Sequence, residues 1–143
     1  MMPIMKIGLL ILLLGFGPAG CGLDKLVNPP AQQGEEALDA FVLALRLGEF
    51  PAAARHLAAE HRRAFLEQFA ALEKDLHIVD VRIREMTVTA EGRRADVSLE
   101  MDYFLLPSAT VRTFRYDHTW IYFGENDEQV AHYRIVTPFP RFP

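Results

Sequence analysis

The segment Ala-Asp-Val-Ser-Leu-Glu-Met-Asp-Tyr, residues 95–103, alternates apolar and polar side chains without a break. A period of two is typical of a β-strand with one face against a core and the other in water. A second long strand is predicted from Thr110 to Phe123. Its aromatic positions share one face and comprise Phe114, Tyr116, His118, Trp120 and Tyr122. The two segments predict an antiparallel sheet with one covered face.

Two further strands flank this pair. Before it, Val79, Val81 and Ile83 are apolar at odd positions but Met86 and Val88 at even ones, which predicts a β-bulge near residues 84–85. The dipeptide at 91–92 predicts a turn with Gly92 at positive φ. A last strand is predicted over 129–137, with Tyr133 and Ile135 on one side and His132 and Arg134 on the other.

Upstream of residue 76 the apolar spacing is helical. From Glu35, positions 38, 41, 42 and 45 form one apolar face, and Gly48 ends the helix. Pro51 suits the first turn of a short second helix. A third helix is predicted from Glu60 to Asp75. Three helices followed by four strands predict an α+β domain over 35–137, with a curved four-stranded antiparallel sheet packed on the helices.

The helix containing Ala37-Leu38-Asp39-Ala40-Phe41, the short helix after Gly48-Glu49-Phe50-Pro51, and long strands ending in Tyr133-Arg134-Ile135 resemble the nuclear transport factor 2-like superfamily. The resemblance implies a sheet curled into a cone that can hold a small hydrophobic ligand. Some members are isomerases or dehydratases, whereas others only bind or form homodimers through the sheet. That layout commonly has an extra short strand between the helices, which this sequence does not reveal. A simpler cystatin-like fold is the alternative.

Residues 1–20 have the layout of a secretory signal. Lys6 precedes an uncharged apolar run from Ile7 to Phe16, and small residues follow. A membrane-spanning helix needs about 20 apolar residues, so this run is too short to cross a bilayer. We therefore interpret it as a cleaved signal peptide.

Ala19-Gly20-Cys21 resembles the lipobox of bacterial lipoproteins. The resemblance implies cleavage between Gly20 and Cys21 and acylation of the Cys21 thiol, although Pro18 departs from the usual aliphatic residue. The alternative is an ordinary secretory signal followed by a stray thiol. Cys21 is the single cysteine of the chain, and an unpaired thiol is a liability in an oxidising compartment. Acylation removes that liability.

The lipid would place the domain in the cell envelope. Gly22 stands where an Asp usually retains lipoproteins in the inner membrane, which favours the periplasmic face of the outer membrane over the inner membrane. Residues 21–34 include Asn28-Pro29-Pro30 and show no helical or strand period, so we predict a lipidated tether.

Length and charge limit the remaining possibilities. The chain has 143 residues, half of them apolar, which suits one domain with a single core. Its formal net charge is -4. Phosphate contacts need clustered Lys and Arg, so this balance disfavours nucleic acid as a partner.

Tyr103, Tyr116, His118 and Trp120 are the candidate pocket residues. Inside a cone, burial would keep His118 neutral and able to accept a proton, while Tyr103 or Tyr116 could donate to a developing oxyanion. The same pattern also suits an ordinary aromatic core or a dimer face. Asp117 points to the opposite face from His118 and cannot pair with it. We therefore predict no complete catalytic set.

No cofactor or metal is expected from the remaining histidines. His56 and Glu60 are spaced i, i+4 on a predicted helical region, and His61 lies one step off that face. A zinc site needs three or four ligands, and this group supplies no convincing set.

The tail at 138–143 alternates proline with Phe139 and Phe142. Proline favours an extended path, and the two rings should dock on the domain's own surface rather than in a partner's groove.

Three functions compete at this level. The leading hypothesis is a membrane-anchored, non-enzymatic module that binds a small apolar ligand or a protein partner. The second is an isomerase- or dehydratase-like enzyme, which requires a cavity where His118 and a Tyr hydroxyl converge. The third is an assembly accessory lipoprotein with a flat apolar exterior sheet face.

Overall fold

The computed structural model describes residues 30–124 and 132–143. Three helices, α1 (Pro30–Arg46), α2 (Phe50–Ala54) and α3 (Ala59–Leu72), precede four strands. The strands are β1 (Leu76–Thr89), β2 (Arg94–Leu105), β3 (Arg112–Phe123) and β4 (His132–Ile135). They form one antiparallel sheet in the order β1-β2-β3-β4. The predicted α+β class, with three helices and four strands, is confirmed.

The first helix begins earlier than predicted. It starts at Pro30 and not at Glu35, so residues 30–34 of the predicted tether are helical. Gly34 explains the error: a Cβ there would lie 3.1 Å from the Tyr133 ring, so glycine serves close helix–sheet packing and not a flexible link. The predicted signal peptide and the rest of the tether lie outside the described residues. Within those residues, no helix has both the length and the apolar character needed to cross a membrane.

The link between α2 and α3 contains the strand-like element that the sequence did not reveal. Leu57 forms an isolated parallel bridge with Ile135. The Ile135 amide donates to the His56 carbonyl at 2.8 Å, and the Ala58 amide donates to the Ile135 carbonyl at 2.8 Å. This short pairing ties the link between the helices to the end of β4.

Strand β1 contains two irregularities rather than one. The register with β2 shifts between Ile83 and Glu85, as predicted, and also between Ile78 and Asp80. The extra shift turns Val79 outward, where it is 54% exposed, so its predicted place beside Val81 on the apolar face is wrong. The predicted positive φ of Gly92 is confirmed at 81°.

The core lies between the inner sheet face and the helices. The alternation predicted for β2 is confirmed, since its five apolar positions from Ala95 to Tyr103 are all buried. Opposite them, Phe41 and Leu45 of α1 and Phe65 and Phe69 of α3 are almost fully buried. This arrangement brings the aromatic face of β3 under α1.

Candidate functional site

A cluster of four rings occupies the space between α1 and β3. The Phe41 ring lies 5.8 Å from Trp120, 6.0 Å from His118 and 6.0 Å from His56, each time with an edge against a face. The His56 ring also contacts Trp120 at 5.9 Å. We call Phe41, His56, His118 and Trp120 the ring cluster. Phe41 reaches it from the buried face of α1, whereas His118 and Trp120 alternate along β3.

His118 is the buried polar member of the ring cluster. It is 3% exposed, and its Nδ1 lies 3.0 Å from the Tyr116 carbonyl oxygen. A carbonyl only accepts, so Nδ1 carries the proton. Burial lowers the pKa of His118 to about 4, which leaves the ring neutral near pH 7, as predicted. Its Nε2 therefore carries a free lone pair, and that atom has no hydrogen-bond partner among the described residues.

Trp120 contributes a hydrogen-bond donor, whereas His118 Nε2 is an acceptor. It is 2% exposed, and its ring centre lies 6.0 Å from that of His118. Its Nε1–H can only donate, and within the described part of the chain nothing accepts from it. Buried polar groups in proteins are nearly always paired, so two unpaired nitrogens in one cluster mark this place as unusual.

His56 connects the ring cluster to solvent. It is half-buried, and its pKa is lowered to about 4, first by burial and then by the nearby charges of Arg134 and Arg55. The predicted helical pairing of His56 with Glu60 is wrong, because His56 lies between α2 and α3. His61 contacts the Val136 carbonyl oxygen at 3.1 Å. Over 30–124 and 132–143, no three His, Cys, Asp or Glu side chains gather as a metal site.

Three of the four candidate pocket residues come together. Tyr116 stacks on His118 at 4.3 Å, but its hydroxyl donates to the Thr137 carbonyl oxygen at 2.6 Å. Burial raises the pKa of that hydroxyl. Tyr103 lies apart, with its ring 4.8 Å from Phe142. The Tyr116 hydroxyl therefore donates to the backbone and does not converge with His118 Nε2 on a common point.

The tail closes the other end of the inner face. Phe139 is 8% exposed and packs on Phe65, Phe114 and Tyr116 at 5.0, 5.3 and 4.7 Å. Phe142 is 5% exposed, and its amide donates to Gln68 Oε1 at 2.7 Å. Both rings dock on the domain itself, as predicted.

The outer sheet face is charged. Glu100 accepts hydrogen bonds from Arg115 at 2.7 Å and Arg82 at 2.9 Å, and the Arg115 bond is the main reason that the pKa of Glu100 is lowered. Asp117 lies on this face, as predicted, and accepts from the Ser98 hydroxyl at 2.6 Å. An open groove of about 390 Å³ on this side is lined by residues that include Asp96, Ser98, Asp117 and Thr119. The third hypothesis, an assembly accessory lipoprotein, stays a prediction.

The comparisons with known proteins identify a fold. The sequence matches no family profile, and no curated protein is significantly similar to it. A ketosteroid isomerase-like protein from Erwinia carotovora atroseptica matches with a TM-score of 0.51 and 12% identity, over 78% of this chain and 99% of that one. An LEH-like epoxide hydrolase from M. tuberculosis matches with a TM-score of 0.50 and 13% identity, over 76% and 80%. The chain has a nuclear transport factor 2-like fold.

A third solved structure extends the same result. A SEC-C motif containing protein from Psychrobacter arcticus matches with a TM-score of 0.57 and 11% identity over 76% of this chain. This chain spans about 60% of the length of that protein. Structural matches at identities this low show the nuclear transport factor 2-like fold alone. The activity has to be argued from the site.

Within this nuclear transport factor 2-like domain, the sequence identified the strand residues of the ring cluster but missed Phe41 and His56. Phe41 lies on the apolar face that the sequence predicts for the first helix, and that pattern is the signal that points to it. The sequence pattern places His56 with Glu60 on a helical region, whereas His56 lies in the link between α2 and α3, where the fold brings it against Trp120.

Proposed function

We propose that this chain is a membrane-anchored envelope lipoprotein whose domain is a non-enzymatic binding module for a small apolar ligand. The observation that carries the proposal is the pair of buried nitrogens, His118 Nε2 and Trp120 Nε1, which lie beside the Phe41 ring and find no partner among the described residues. Ligand sites are typically apolar and carry a few polar groups that fix orientation. The ring cluster has that composition.

The position of the Tyr116 hydroxyl favours binding over catalysis. An isomerase- or dehydratase-like reaction would need a proton donor facing His118 Nε2 across the substrate. The Tyr116 hydroxyl already donates its hydrogen bond to the Thr137 carbonyl oxygen, 2.6 Å away. Tyr103 contacts the tail instead. His118 is therefore better suited to hold a ligand than to move its protons.

The anchor in this proposal comes from Cys21 and the short apolar segment before it. Each methylene buried in the bilayer contributes about 0.8 kcal/mol, and stable attachment needs more than one acyl chain. We propose that acylated Cys21 holds the domain at a membrane of the envelope, with the periplasmic face of the outer membrane favoured.

Fluorescence offers a direct test, because Trp120 is the single tryptophan of the chain and belongs to the ring cluster. The mature lipoprotein in lipid nanodiscs would be titrated with toluene, a small apolar probe of the size of one side-chain ring. We expect saturable quenching or a shift of Trp120 emission.

A variant of the ring cluster is the control for this titration. Phe41→Ala removes the ring that contacts His56, His118 and Trp120, and should change the saturable signal if the variant remains folded by circular dichroism. A wild-type protein whose Trp120 emission never saturates with toluene or with phenol would contradict the proposed function.

A further inference from the structure

An open groove of about 540 Å³ lies where the start of α3 meets β4. Two arginines line it from different elements, Arg62 from α3 and Arg134 from β4. Both are half-buried, whereas Glu60, which also lines the groove, is exposed. Phe123 adds apolar surface and is 44% exposed. The groove therefore places two cations beside an accessible aromatic ring.

The two arginines lack the carboxylate partners that arginines have elsewhere in the protein. On the outer sheet face, Arg82 and Arg115 both form ion pairs with Glu100. Over the two described segments, no Asp or Glu side chain forms an ion pair with Arg62 or Arg134. A charge that is partly removed from water is normally paired. The groove thus holds positive charge that the described residues do not neutralise.

The pKa values of neighbouring groups agree with an excess of positive charge. The pKa of Arg134 is lowered from its ordinary value, first by burial and then by the charge of Arg62. The pKa of His56, in the adjoining link, is lowered to about 4, first by burial and then by the charges of Arg134 and Arg55. An anion bound between the two guanidinium groups would offset their repulsion.

Backbone hydrogen bonds hold both guanidinium groups but use few of their donors. Arg62 Nε donates to the Leu57 carbonyl oxygen at 2.9 Å, and its Nη2 donates to the Arg55 carbonyl oxygen at 3.5 Å. Arg134 Nη1 donates to the Tyr133 carbonyl oxygen at 2.8 Å. A guanidinium has five N–H donors, so each arginine keeps donors for a ligand. Side chains held in place before binding lose less entropy when the ligand arrives.

The number of cations and donors favours one class of anion. A carboxylate has a single charge and two oxygens, which one arginine can already occupy in a bidentate pair. A phosphate monoester has three free oxygens and a charge close to -2 above its second pKa of about 6. It can therefore accept from two guanidinium groups and balance both charges.

We propose that this groove is a binding site for a phosphate monoester, whose oxygens accept hydrogen bonds from Arg62 and Arg134 and whose organic group lies against Phe123. The groove is distinct from the ring cluster, and the inference does not depend on the binding function proposed for that cluster. A soluble phosphomonoester and a lipid with a terminal phosphate headgroup share the required chemistry.

Calorimetry on the full chain in dodecyl maltoside micelles, which contain no phosphate, tests the anion class. The probe is phenyl phosphate at pH 8 and constant ionic strength, so that general screening by salt does not vary. We expect saturable binding of one molecule per chain. Benzoate keeps the ring but has one charge, and it should bind about tenfold more weakly, the effect of losing one charge-assisted hydrogen bond.

Variants locate the binding. Arg62→Gln and Arg134→Gln should each weaken the binding of phenyl phosphate by about tenfold or more. Arg63→Gln is the matched control, because Arg63 is the next residue of α3, is exposed and pairs with Glu67 at 2.8 Å. It should bind like the wild type. Arg134→Gln also removes the repulsion with Arg62, so we expect it to stay folded.

A measurement on the wild-type protein does not depend on how the variants fold. The 15N resonance of Arg134 Nε should move when phenyl phosphate is added and stay in place when sodium chloride is added at the same ionic strength. Equal affinities for phenyl phosphate and benzoate would overturn the phosphate assignment. Absence of saturable binding, or equal binding by the wild type and Arg134→Gln, would overturn the site and leave the ring-cluster function untouched.

A second probe distinguishes the two sources of the phosphate. Dihexanoyl phosphatidic acid, added to the same micelles, presents a monoester on a lipid. Tighter binding of this lipid than of phenyl phosphate would support the site and identify a lipid headgroup as its ligand. Weaker binding would support the site and identify a soluble phosphomonoester. Either preference should disappear in Arg134→Gln and persist in Arg63→Gln.

Discussion

At the scale of the residue, the central feature is a histidine whose second nitrogen has no partner in the described part of the chain. An unsatisfied buried polar atom costs about 1–3 kcal/mol, and that penalty is carried by the ligand-free protein. Binding sites often retain such costs because the ligand removes them. The stability of the free domain is therefore expected to be below what an apolar side chain would provide at position 118.

We predict that His118→Leu raises the free energy of unfolding of the ligand-free protein by about 1 kcal/mol, because the unpaired Nε2 is replaced by apolar surface at similar volume. Urea unfolding followed by circular dichroism would measure it. Tyr116→Phe is the comparison: it removes the hydroxyl bonded to the Thr137 carbonyl and should lower stability by about 1 kcal/mol. A marked loss of stability in His118→Leu would show that Nε2 is satisfied.

The low pKa of His118 predicts a pH dependence of stability. The unfolded histidine titrates near 6.5 and the folded one near 4, so below pH 6.5 the unfolded state binds more protons. Stability should be full above about pH 6.5 and fall progressively as the pH drops towards 4, with a contribution of the order of 3 kcal/mol from His118. His56, whose pKa is also lowered to about 4, acts in the same direction.

Urea midpoints measured at pH 7 and at pH 4.5 would check this dependence. Carboxylates contribute equally to the wild type and to His118→Leu, so the difference between the two proteins isolates His118. The variant should lose less stability on acidification than the wild type. Parallel pH curves for the two proteins would be inconsistent with a buried, neutral His118.

At the scale of the element, the tail behaves as part of the core. Phe139 and Phe142 are buried against side chains from α3, β2 and β3, so six C-terminal residues complete the packing of the inner sheet face. Hydrogen bonds at Thr137 and Phe142 hold the extended path in place. Without the tail, the inner face would expose a group of aromatic rings to water.

We predict that Phe139→Ala lowers the free energy of unfolding by about 3–5 kcal/mol, the range for truncating a buried phenylalanine. Arg141→Ala, at an exposed position of the same tail, should change stability by less than about 0.5 kcal/mol. Denaturant unfolding of both variants provides the measurement. Similar small effects for the two substitutions would mean that the tail does not contribute to the core.

At the scale of the whole molecule, the question is how the domain would be attached to a membrane. The domain's described helices do not cross a bilayer, and the proposed attachment is the acyl group on Cys21. The outer sheet face is charged, with Glu100 held between Arg82 and Arg115. Homodimerisation through the sheet remains a prediction.

We predict that cells labelled with radioactive palmitate incorporate label into the wild-type protein and not into Cys21→Ser. The variant should also leave the membrane fraction, because a protein without acyl chains lacks the hydrophobic attachment. Ser108→Ala, an exposed substitution between β2 and β3, is the control and should keep both label and location. A mature N-terminus other than Cys21 would contradict the anchor.

Local pattern was enough to determine the fold class. The alternation over residues 95–103 and the aromatic face of 114–122 fix which side of each strand is buried, because neighbouring side chains in a strand point to opposite faces. The same reasoning found the bulge near residue 84 and the positive φ at Gly92. It assigned His118 and Trp120 to one face and Asp117 to the other.

Tertiary structure alone decided what those faces meet. Three contacts join residues distant in sequence: His56 with Trp120, Phe139 with Tyr116, and the Tyr116 hydroxyl with the Thr137 carbonyl oxygen. The outward turn of Val79 likewise depends on how β1 pairs with β2. Periodicity describes the direction of a side chain from its own backbone. Whether a buried nitrogen finds a partner depends on the atoms that other elements bring to it, and for His118 and Trp120 the described elements bring none.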